Sequence, residues 1–146
     1  MAYPKLDTII KYQNDKIISR YHRDFPKAAM QPTEALKELM KFIWLCFKHS
    51  YDKEKDPTNV SLNFSCIVHP EMVDIDNMWH TFLLFTRDYY DFCMLYLNGI
   101  FFHHEPIISL NDDWPEHYEQ ELTLYLTYIY DNLGQKTVLK WFPIND

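Results

Sequence analysis

Glycine is nearly absent from this chain: two in 146 residues, Gly99 and Gly134. A phosphate-cradling loop needs several glycines close together, and a turn-rich β-sandwich needs them spread through its turns, so neither is expected. Cysteine is sparse as well. Cys46, Cys66 and Cys93 are odd in number, unevenly spaced and form no C-x-x-C pair. They indicate neither a disulfide framework nor a zinc knuckle, and fit a reduced, cytoplasmic setting. No window approaches 18 uninterrupted apolar residues, and the opening MAYPKLDTIIKY lacks the apolar run of a signal peptide. A membrane is therefore not expected as a partner. There is no nucleophile elbow, no H-E-x-x-H and no carboxylate dyad.

What the chain does hold is rings and negative charge. Aromatic residues make up 17% of it, enough to expect a core built largely from rings. The formal charge is −7, unevenly spread: residues 1–30 carry a net +3 and the remainder −10. An acidic bulk of this kind disfavours nucleic acid and anionic lipid, and leaves another protein as the expected partner. Nothing in the composition sets an oligomeric state. The length suits one domain, 1–146, with a basic N-terminal helical segment over 1–30 and a core over 33–143.

The periodicities are helical. Leu6, Ile9 and Ile10 begin a stripe behind Pro4, and Asn14-Asp15 can interrupt it and cap a second piece carrying Ile17, Ile18, Tyr21 and Phe25. Thr33 can cap a helix from Glu34 to about Ser50. Its apolar arc, from Ala35 through Leu36, Leu39, Met40, Ile43, Cys46 and Phe47, is widened by Phe42, Trp44 and Leu45. Residues 51–57, YDKEKDP, read as a charged loop. Val60 to Val68 alternates with strand period but has no obvious pairing partner, so irregular structure with a short helix is expected there. Asp113 caps a helix that Gly134 stops, and a short helix from Thr137 to Trp141 closes the chain. The fold class is all-α: a single-domain bundle of four to six helices around a long central one.

The organising stretch is Val73 to Pro106. It reads as one long amphipathic helix, a glycine stop and an aromatic return. Asp74 or Asp76 can cap it, Ile75, Met78, Trp79, Phe82, Tyr89 and Cys93 share the buried face, and Gly99 suits a left-handed C-terminal position. Asp76, Trp79, His80, Phe82, Leu84, Thr86, Tyr89, Phe92 and Cys93, followed by Gly99, Phe101, His103, His104 and Pro106, resemble the glycine-rich domain-containing-protein-like family of small helical domains. Leu97 and Asn98 depart from that family's pattern, which usually has an aromatic before the glycine. The resemblance implies a helical fold and carries no activity with it.

The same stretch holds the chain's candidate chemistry. Asp76 and His80 are four residues apart and can point at one ion from one helical face. His103 and His104 can add imidazole nitrogens, which suit zinc, iron or nickel. A continuous helix opposes this. From His80 to Asn98 it would climb about 27 Å, and the five residues from Gly99 to His103 can return at most ~17 Å. The four residues can meet only if the helix ends early or the return runs tightly back. Cys93 is a poor nucleophile candidate, about 140° round the helix from His80 and on its apolar face. The function expected from sequence is a small acidic interaction or regulatory module with room for a bound transition metal. The alternative is a small metal-dependent enzyme using Asp76, His80, His103 and His104. The two differ in what they need: an open coordination position in a cleft, or an exposed apolar patch.

Overall fold

The computed structural model describes residues 3–104 and 114–144, with side chains in the second stretch from 117 onward. Among them are seven α-helices, one 3₁₀ turn and no strand: α1 (Leu6–Ile9), α2 (Asp15–Asp24), α3 (Pro32–Lys55), the turn Val60–Leu62, α4 (Val73–Leu84), α5 (Thr86–Tyr96), α6 (Trp114–Leu133) and α7 (Gln135–Trp141). The expected all-α class is what the chain adopts. The proposed Asp113 cap lies outside the described residues.

The central helix is α3, which packs against α1, α2, α4 and α6. Its wide apolar arc predicts this position, since a helix buried on most sides needs more than one apolar stripe. Ala35, Leu39, Met40, Ile43 and Leu45 are wholly buried, with Phe42 nearly so. The helix begins one residue before Thr33, with Pro32 in its first turn and no side-chain cap. It also runs through the segment expected as a charged loop, to Lys55. Two contacts hold that extension: Lys48 pairs with Asp52 one turn on, at 2.6 Å, and the Tyr128 hydroxyl of α6 donates to the same carboxylate.

Asn14 acts as expected. Its side chain accepts from the Lys16 and Ile17 amides at the start of α2. It also donates to Asp88 in the first turn of α5, which pairs with Lys16 at 2.7 Å. The hydrogen bond from Asn14 and the Lys16 ammonium hold the Asp88 carboxyl below its usual range. After the 3₁₀ turn, residues 63–72 are irregular and carry no strand.

The expected long helix from Val73 onward is two helices. Phe85, at φ −99° and ψ 72°, leaves the helical region and separates α4 from α5. Neither glycine nor proline marks the break. Packing explains it: the turn gathers Phe82, Tyr89 and Phe92 with Tyr12 into one ring cluster, centroids 4.9 to 6.4 Å apart. Asn98 and Gly99 then take positive φ, 55° and 79°, and turn the chain back.

Candidate metal centre

Asp76 and His80 sit one turn apart on α4, on its solvent side, with His80 Nε2 3.7 Å from Asp76 Oδ1. The break at Phe85 shortens the climb, and the return through residues 97–104 lays His104 across them. Its Nε2 lies 2.8 Å from the same Asp76 oxygen, and its ring centroid is 4.6 Å from that of His80. One donor atom from each of the three lies within 4.8 Å of the others. Metal bonds of about 2.0–2.2 Å separate adjacent ligand atoms by roughly 3.0–3.5 Å; the two distances to Asp76 lie within a few tenths of an ångström of that range, and the two imidazoles would draw together around an ion. His103 is brought to the neighbourhood but not to the cluster. It is exposed, and its ring meets Phe101 edge-on at 4.8 Å.

The three side chains are placed by different means. Asp76 and His80 follow from helical spacing alone. His104 depends on a relay through the core. Trp79 Nε1 donates to the Tyr89 hydroxyl at 3.0 Å, and Tyr89 donates in turn to the carbonyl of Phe102. The Trp79 indole is stacked on Phe102 at 5.0 Å and 7°, and touches His104 at 4.2 Å. Trp79 and Tyr89 are ten residues apart, about 15 Å along an unbroken helix. Their hydrogen bond exists because the chain turns at Phe85. Burial pushes the Tyr89 hydroxyl well above its ordinary range, so it remains a donor at any physiological pH.

Exposure grades across the cluster: the His104 side chain is 13% exposed, Asp76 33% and His80 55%. They stand at a cleft of about 600 Å³, a size usual for small-molecule sites. Trp79, Phe102, Ile67 and Val68 give it apolar walls.

Two cleft residues were not singled out from the sequence. His69 is buried, and burial lowers its pKa below the usual imidazole value. Tyr118 Oη lies 3.4 Å from its Nδ1. Cys66 lines the cleft from the irregular 63–72 segment. No spacing in the sequence connects either residue to Asp76, because irregular backbone carries no periodicity from which a face can be read. Cys93 is buried, and burial raises its thiol pKa, which suits a core residue better than a nucleophile. No family model, curated protein or solved structure matches this chain, so the reading of the site rests on its own geometry and chemistry.

Proposed function

We propose that Asp76, His80 and His104 hold a divalent transition metal, and that the protein is a small metal-dependent enzyme acting on a small molecule in the adjoining cleft. The observation that carries this is the convergence of two imidazoles and one carboxylate at the mouth of a concave, apolar-walled space. Such a set suits iron(II) or zinc and leaves coordination positions free. A metal there supplies Lewis acidity, polarising an oxygen or nitrogen of the substrate or activating water. The walls favour a largely apolar molecule with one donor group directed at Asp76 and the histidines. His103, exposed and outside the cluster, is left out of the ligand set.

The interaction-module reading calls for a contiguous apolar surface. The most exposed large apolar side chains, Val60, Leu84, Leu95 and Ile144, stand on four separate segments. Among the described residues these side chains share no single helical stripe, which favours the enzyme reading over the module.

Cobalt(II) is the direct probe. The wild-type chain is expected to take up one equivalent, with visible absorption that changes when azide is added, because azide needs a free coordination position. Asp76→Asn and His104→Ala are expected to lose uptake, and His103→Ala to keep it. Absence of stoichiometric uptake by the wild type, or undiminished uptake by His104→Ala, would overturn the assignment.

A further inference from the structure

Two of the three cysteines, twenty residues apart in sequence, meet in the fold. Cys46 on α3 and Cys66 in the 63–72 segment place their sulfurs 2.8 Å apart, within about 0.8 Å of the ~2.05 Å disulfide bond. Their environments differ. Cys46 is buried within the core, and burial raises its thiol pKa far above the ordinary value. Cys66 is half-buried and lines the cleft. The two sulfurs adjoin the buried Tyr125, and burial together with these neighbours raises its hydroxyl pKa.

We propose that Cys46 and Cys66 are a redox-active pair, oxidised by a small hydroperoxide entering through the cleft. The Cys66 thiolate attacks the peroxide O–O bond. A sulfur–oxygen bond forms, the O–O bond breaks, and the leaving oxygen departs as water after taking a proton, leaving Cys66 as the sulfenic acid. The Cys46 sulfur then attacks the Cys66 sulfur. A disulfide forms, the hydroxyl leaves as a second water, and the Cys46 proton goes with it. Two thiols are oxidised by two electrons, and one hydroperoxide is reduced to two waters, or to water and an alcohol. The division of labour follows from access: the sulfur in the cleft meets the oxidant, and the sulfur in the core resolves the product before over-oxidation. The pair does not depend on a metal, since neither sulfur belongs to the Asp76 cluster. The new bond would tie the wall carrying Ile67 and Val68 to the central helix, so the redox state would set how far that wall can move.

The test is thiol mapping on the full chain, metal-free, after exposure to hydrogen peroxide. Alkylation under denaturing conditions, followed by reduction and peptide mass spectrometry, is expected to show three free thiols falling to one. Cys93 should stay alkylated, and Cys46 and Cys66 should be linked to each other and recovered by reductant. In Cys46→Ser, Cys66 is expected to be trapped as sulfenic acid by a 1,3-dicarbonyl probe. In Cys66→Ser, Cys46 is expected to remain a free thiol. Three free thiols in oxidised wild type, a link through Cys93, or a link only between chains would overturn the proposal. The wild-type measurement decides the matter even if either serine variant fails to fold.

Discussion

Two carboxylates in this molecule lie on either side of one aromatic ring, and the fold treats them in opposite ways. Phe42 of α3 touches Trp79 at 5.5 Å and Trp141 at 6.1 Å. Behind Trp141 is Glu38, fully buried. It accepts from the Trp141 indole at 3.0 Å and pairs with Lys41 at 3.0 Å, while Lys140 stands 3.9 Å away. Beside Trp79 is Asp76, one-third exposed, with two imidazoles for partners. Glu38 Oε1 accepts from a fixed donor and its Oε2 stands between two permanent cations, and the residue clamps α7 to α3. Asp76 has partners that can exchange a proton for a metal, and it faces a cleft. A buried carboxylate becomes architecture when its neighbours leave no room. The same group becomes a candidate site when its partners are interchangeable and reachable.

The largest test removes the rings that frame both carboxylates. Trp79→Ala and Trp141→Ala are each expected to cost about 3–5 kcal/mol in urea unfolding, since both indoles are buried. A loss under about 1 kcal/mol at either position would remove that tryptophan from the core and end the parallel. Next comes Glu38→Ala, expected to cost about 2–3 kcal/mol. That lies between the price of one orphaned indole donor and that of breaking a fully buried ion pair, because Lys41 and Lys140 can turn to water.

A smaller loss should appear on acidification, and it extends the comparison to the histidines of the interior. His49 is buried against Phe64 and bonds to the Leu62 carbonyl, and His69 is buried in the cleft wall. Burial lowers both pKa values below the usual ~6.5. On acidification the unfolded chain therefore binds protons first. The stability linked to these residues is fully present above about pH 6.5 and falls as the pH drops below it toward the lowered folded values. Urea midpoints that stay constant from pH 7.5 to 5 would contradict this.

The smallest effect on stability is expected at Asp76→Asn, under about 1 kcal/mol, because the group is one-third exposed and His80 beside it is more than half exposed. Yet this change should abolish cobalt uptake, while Glu38→Ala leaves uptake in place in the folded fraction. If the two variants lose uptake equally, the distinction between clamp and site is wrong.

How much of this was legible in the sequence depends on which physics was local. Helical faces were readable because burial repeats every three or four residues, and so was the Asn14 cap. Asp76 and His80 were readable for the same reason, as were the positive φ at Gly99 and the helix stop at Gly134. The break at Phe85 was not. It is made by ring packing between α4, α5 and Tyr12, and neither Phe85 nor Thr86 carries a turn signal. Since the break delivers His104 to Asp76, the site's completion was hidden while two of its members were plain. The continuation of α3 through residues 51–55 was missed although its Lys48–Asp52 pair is local, because its other support comes from Tyr128, 76 residues away from Asp52. Cys46 and Cys66 show the same limit. Twenty residues of irregular spacing say nothing about two sulfurs in contact.

The two carboxylates also differ in the order in which folding can complete them. Asp76 and His104 are 28 residues apart, whereas Glu38 and Trp141 are separated by 103. Closing the longer loop costs about 1 kcal/mol more in chain entropy, growing only as the logarithm of length. The shorter closure lies within α4, α5 and the return, elements already adjacent along the chain, and local contacts of that kind form fast. The cleft's histidine can therefore be in place while the last helix is still undocked. α7 then arrives as the late step, with Glu38 as its latch.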